Sequence, residues 1–151
     1  MNNFPPWWDQ TITVYNKRIL DNRAVEWTRT VLTNCFWKYI YDKNYVFNRN
    51  MTNNALSEIE DVICRIPIND NFVTPGQWSS LEDVTDKFTL QDGDIIIYGE
   101  VDDEINEYVA GKRKTDILNK YKKYQECIEV KTHVTNIWTG NGLPHYRVIG
   151  K

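Results

Sequence analysis

The chain has 151 residues, enough for one domain with a proper core and too few for two independent ones. It is 41% hydrophobic and 13% aromatic, which excludes wholesale disorder and favours a β-rich fold. Its formal net charge of -3 gives no global basic footprint for nucleic acid, leaving only local patches to serve such a role. No apolar run approaches the roughly 20 residues of a bilayer span, and Met1 to Trp8 lacks the basic and apolar regions of a signal peptide, so the expected site of synthesis and use is the cytosolic side.

Taken in chain order, residues 1–10 read as an N-terminal arm. Pro5-Pro6 fixes an extended backbone, and Trp7 and Trp8 set two large rings beside it that dock either on their own domain or on a neighbour. Residues 11–151 then form a single β-rich domain. Thr11 to Tyr15 alternates as a strand, Asn16 to Asn22 reads as a polar turn, and Val25 to Trp37 pairs back as a hairpin. Residues 38–59 are asparagine-rich and irregular, a surface excursion. Strand character returns over Asp61 to Ile68, with Val62, Cys64 and Ile66 on one face, and Pro67 ends that strand or holds it at an edge.

Asn69 to Lys87 reads as a second long loop. The turn at Asp92-Gly93 then feeds Ile95-Ile96-Ile97, an unbroken apolar run that reads as a strand buried on both faces and ends on Gly99. Over residues 115–124, Ile117, Leu118, Tyr121 and Tyr124 fall at helical spacing, with Thr115 or Asp116 as N-cap. Ile128, Val130, Thr132 and Val134 alternate with polar residues as a half-buried strand, and Gly140-Asn141-Gly142 turns the chain into a last strand over His145 to Ile149. The expected fold is therefore mainly β, a small β-barrel or sandwich with one α-helix near residues 115–124 and long loops.

Chemistry is sparse along this chain. Cys35, Cys64 and Cys127 are odd in number, widely spaced and set among apolar neighbours, as buried reduced thiols are. His133 and His145 stand in no ligand spacing with them, and the acidic run lacks the pattern of a calcium loop, so no metal or cofactor is expected. Asp92-Gly93-Asp94 is explained by turn chemistry. No nucleophile, base and acid are brought together in an activating pattern, which leads to the expectation that the protein is not an enzyme. The charges instead point to contact surfaces. Glu100, Asp102, Asp103 and Glu104 are followed by Lys112, Arg113 and Lys114, a juxtaposition that can supply intersubunit edges of opposite sign.

Three stretches carry a resemblance: Thr11-Ile12-Thr13-Val14-Tyr15-Asn16-Lys17; Trp27-Thr28-Arg29-Thr30-Val31-Leu32 leading to Cys35-Phe36-Trp37; and Leu90 through Gly99. Together they resemble minor capsid or head-tail connector proteins of long-tailed bacteriophages and prophages of Gram-positive hosts. The resemblance implies a β-barrel stopper, or head-closure, subunit. Such a subunit sits in a homo-oligomeric ring in the neck of the virion, beside portal, adaptor and tail proteins, and helps retain packaged double-stranded DNA. It also implies a polar channel loop, for which Asn53, Asn54, Asn69, Asp70 and Asn71 are the candidates. A tail terminator and a single-stranded nucleic-acid-binding barrel are the alternative readings.

Overall fold

The computed structural model describes residues 5–41, 59–122, 126–136 and 144–151. Six strands make a closed antiparallel barrel in the order β1-β2-β3-β6-β5-β4. They are β1 (Gln10–Ile19), β2 (Val25–Tyr41), β3 (Ile59–Pro67), β4 (Ile95–Tyr98), β5 (Cys127–Asn136) and β6 (His145–Gly150). Two helices join them, α1 (Pro75–Ser80) and α2 (Lys114–Lys122). The barrel thus settles the choice between barrel and sandwich.

β2 is the long element that links the two halves of the wall. It pairs with β1 over Val25 to Cys35 and with β3 over Phe36 to Tyr41, so residues 38–41, the start of the segment 38–59 read as irregular, are strand. The partner changes between Cys35 and Phe36, just after Asn34, which takes a left-handed φ of 57° beside a register shift. Asparagine tolerates that conformation better than most residues, and the extra residue bends the strand around the barrel.

Two apolar layers result. The interior holds Ile12, Val14, Leu32, Val62, Cys64, Ile66, Ile96, Ile128, Val130 and Val148. Outside the β1/β4/β5 wall, Tyr15, Ile95, Ile97 and Cys127 form a second layer with Ile105 and Ile117, sealed by α2 and the chain that leads to it. This is why Ile95, Ile96 and Ile97 are all fully buried: β4 has apolar partners on both faces, as its unbroken run requires. The interior is packed with side chains, so the barrel itself is a core and not a pore.

Four further features differ from the sequence reading. The turn placed at Asn16 to Asn22 begins only after Ile19, because Asn16 is buried and continues the ladder to Thr28. The segment Asn69 to Lys87 is not all loop. Thr74 caps α1 and exchanges hydrogen bonds with Gln77, with Pro75 in the first turn, and Trp78 is buried with its indole nitrogen donating to the Lys17 carbonyl at 3.2 Å. α2 starts at Lys114, one residue before the expected start, and Asp116 reaches back to accept from the Arg113 amide at 3.1 Å. In β5 a register shift between Val130 and Thr132 reverses the inward phase, leaving Val134 42% exposed and His133 half-buried.

The register shift lies against Gly150. A Cβ there would stand 2.6 Å from the Glu129 carbonyl oxygen and 2.9 Å from Ile128 Cδ1. Gly150→Ala is expected to lower stability by about 1–3 kcal/mol, since the obstacle is backbone and cannot swing aside. Urea denaturation compared with wild type checks this.

Several expectations fall outside the described residues: Met1 to Phe4 of the arm, the excursion over residues 42–58 including Asn53 and Asn54, Tyr124 of the helix, and the Gly140-Asn141-Gly142 turn.

Candidate interaction surfaces

Gly99 creates the first surface. Its φ of 91° turns the chain out of β4 and back across the outer face of β1. The Thr13 hydroxyl then clamps the crossing segment, donating to the Gly99 carbonyl at 2.8 Å and accepting from the Val101 amide at 3.1 Å. Arg29 Nε donates to the Val101 carbonyl at 2.6 Å, and the Tyr15 hydroxyl donates to the Asp103 carbonyl. Held extended in this way, the segment alternates as a strand does. Val101, Asp103 and Ile105 turn toward the barrel, and Glu100, Asp102 and Glu104 are exposed.

The expected acidic cluster is therefore divided by function. Asp103 belongs to the fold: the Tyr121 hydroxyl and Lys120 Nζ both donate to its Oδ2, the latter at 2.9 Å. The Tyr121 hydrogen bond, with help from Lys120, holds the Asp103 carboxyl below the usual carboxylate range. Glu100, Asp102 and Glu104 form an outward comb whose one ion pair among the described residues, Asp102 with Arg29 at 3.5 Å, leaves the carboxylate in solvent.

The basic run divides too. Lys112 and Arg113 are exposed, whereas Lys114 Nζ lies 3.4 Å from Glu129 Oε1 and 5.9 Å from the Trp27 ring centroid. Both runs cap the same wall of the barrel, so they do not form opposite edges of one subunit.

Trp7 and Trp8 are separated by the fold. Trp8 is 6% exposed and packs on the barrel, with its ring edge-on to His145 at 5.5 Å and 6.4 Å from Phe36. Trp7, beside it, is 64% exposed. The other described tryptophans, Trp27, Trp37 and Trp78, are packed at least partly into the protein and present no row of exposed rings for stacking bases.

Asn69 and Asn71 line a groove of about 790 Å³ opposite Glu26 to Leu32 of β2, with Phe88 on its floor, and Asp70 stands exposed beside it. A smaller groove of about 370 Å³ continues the same seam along Val31 to Asn34. Over this stretch β2 pairs with β1 along one edge, and no described strand pairs with the other.

Burial pushes the Cys35 and Cys127 thiols up to about 12 and the Cys64 thiol well above its ordinary value, so all three are held protonated. All three are free and buried. Among the described residues no group of three or more His, Cys, Asp or Glu side chains is arranged to hold a metal ion, and no helix is long and apolar enough to cross a membrane.

A family model matches residues 7–151, which takes in every described strand and helix. The chain belongs to DUF6751. DUF6751 is a family of unknown function, and its match begins at Trp7, within the arm. No curated protein and no solved structure matches the chain.

Two charged surfaces were not legible in the sequence. The acid comb needs the alternation imposed by Thr13, Tyr15 and Arg29. The basic face of β3 and β6 needs Arg65 and Arg147, 82 residues apart, to be set side by side by the strand register.

Proposed function

We propose that this chain is a non-enzymatic virion structural protein, a ring-forming head-tail connector subunit of the stopper or head-closure type. It joins portal and adaptor to the tail in the neck and helps retain packaged double-stranded DNA without reading its sequence. The observation that carries the proposal is contiguity. The three stretches that resemble connector proteins are β1, β2 and β4 with its leading turn, and these are neighbours in the order β2-β1-β4. The resemblance thus falls on one continuous half of the wall.

Other features support the same reading. Trp7 in the arm, the acid comb and the polar groove bordered by Asn69 and Asn71 lie on the surface, as a subunit that acts through contacts requires. Because the barrel interior is filled, a DNA passage would be enclosed between subunits of a ring, and polar loops with little positive charge would let the duplex slide.

Native mass spectrometry of the purified chain, alone and mixed with portal and adaptor proteins from the same source, is expected to show a discrete ring or a stable complex with them. A monomer under both conditions overturns the proposal. A sixfold ring that binds tail protein but ignores the portal would replace it with the tail-terminator reading, and a monomer that binds oligonucleotides in a salt-sensitive way with the single-strand-binding one.

A further inference from the structure

The outer face of β3 and β6 contains an arrangement that costs the isolated subunit stability. Arg65 and Arg147 are direct cross-strand partners, and like charges so placed repel. Both are half-buried, and neither makes an ion pair among the described residues. The Arg147 Nε atom is buried without a hydrogen-bond partner. Arg65 lies 4.9 Å from the centroid of Phe36, its other cross-strand neighbour, and Lys38 stands exposed in the next row beside Ile63. A guanidinium pair of this kind suits a carboxylate-bearing partner, since each planar fork can receive two oxygens.

The barrel order places a suitable partner on the opposite wall. In the closed sequence β1-β2-β3-β6-β5-β4, β6 is three positions from β1 and β3 is three positions from β4. The segment that bears Glu100, Asp102 and Glu104 crosses the outer face of β1 just after β4. One subunit therefore presents an acidic comb on one wall and an under-compensated arginine pair on the wall diametrically opposed. A surface that complements a different surface of the same molecule generates head-to-tail association, which closes into a ring when the rotation between copies allows.

We infer that Arg65 and Arg147, with Lys38, are the docking site for the Glu100, Asp102 and Glu104 comb of a second copy of this chain. The assignment rests on the ring reading above and names its intersubunit contact. Lys112, Arg113 and Lys114 are not that contact, because they cap the same wall as the comb. Docking supplies oxygens to guanidinium groups that make no ion pair among the described residues, and it fixes register and encounter rate through charge.

The test uses two full-length variants, E100K/D102K/E104K and R65E/R147E, followed by native mass spectrometry and sedimentation at low salt against wild type. Each variant alone is expected to need a protein concentration roughly a hundredfold higher or more to assemble, because like charges then face each other. Mixed in equal amounts, they are expected to associate again in alternation, since each then offers its intact surface to a native partner and its reversed surface to a reversed one. The comb variant alters exposed carboxylates, of which Asp102 alone pairs among the described residues and does so in solvent, so its thermal melt is expected to stay close to wild type even if R147E loosens the sheet. Wild-type assembly that E100K/D102K/E104K leaves unchanged overturns this inference and leaves the ring reading standing. A wild-type chain that stays monomeric with and without its partners overturns both. Unchanged assembly of R65E/R147E accompanied by lost retention of a DNA duplex would assign the arginine pair to phosphate instead.

Discussion

Asp94→Ala is expected to lower the stability of the protein by about 3 kcal/mol or more, since several buried donors lose their acceptor at once. The Asp94 carboxylate lies at one end of the barrel interior. Its Oδ1 accepts from the Lys17 amide at 3.0 Å and from Gln91 Nε2 at 3.3 Å, and its Oδ2 accepts from Asn16 Nδ2 at 2.7 Å and from the Gln91 amide at 3.1 Å. Asn16 completes the network, donating to the Thr89 carbonyl at 2.6 Å and accepting from the Thr89 amide at 3.1 Å. Alanine leaves the Lys17 and Gln91 amides without these acceptors in a closed site. Asp94→Asn keeps one acceptor oxygen but turns an amide donor toward other donors, so a smaller loss is expected. Chemical denaturation of the two variants beside wild type measures both effects.

Asp94 also links stability to pH. Burial pushes its carboxyl up to about 6, against the downward pull of the hydrogen bonds from Lys17, Asn16 and Gln91. The folded-state value thus lies above the unfolded one, and the folded protein binds the proton more tightly. This contribution is fully present below about pH 4 and is lost as pH rises through about 6, a span worth up to about 3 kcal/mol. Asp103 runs the other way: its carboxyl is held low, so its contribution is lost on acidification. The Asp94 part is therefore isolated by difference. Wild type is expected to gain stability relative to Asp94→Asn between pH 7 and pH 4, and a constant gap across that range would refute the assignment.

The second large effect belongs to Trp78. Trp78→Ala is expected to cost about 3–5 kcal/mol, the usual range for emptying a buried aromatic site. Trp78 is buried, sits in a six-residue helix too short to persist alone, and ties that helix to β1 through the Lys17 carbonyl. Its loss is expected to free the connection from Asn69 to Leu90, which forms one wall of the β2 groove. Trp78→Phe keeps most of the apolar area and is expected to recover most of the stability. Thermal denaturation ranks the two, and hydrogen exchange over residues 69–90 reports whether the wall loosens with α1.

Much of the fold could be read from local pattern. Ile95 to Ile97 announced a strand buried on both faces because an unbroken apolar run has no stable place on a half-exposed sheet. Val62, Cys64 and Ile66 announced an inward face because the period of two is set by the pleat itself, and Ile117, Leu118 and Tyr121 a helix because their spacing matches its turn. Local chemistry misled where two signals overlapped. Thr74-Pro75-Gly76-Gln77 carries a helix cap, yet its proline and glycine are equally the residues of a loop. Asn16 looked like a turn residue because a buried asparagine is affordable only with a partner, and that partner, Asp94, is 78 residues away.

The sequence by itself determined the β-rich class, the helix after residue 113, the apolar setting of each cysteine and the turn at Gly93, because each follows from interactions among residues near one another in the chain. The tertiary structure alone decided that the sheet closes, that Trp8 is buried while Trp7 is exposed, and that Asp103 serves the fold while Glu100, Asp102 and Glu104 face outward. It alone set Arg65 beside Arg147. Those outcomes depend on register and closure between distant strands, and charge, burial and repulsion have no definite value until that pairing is made.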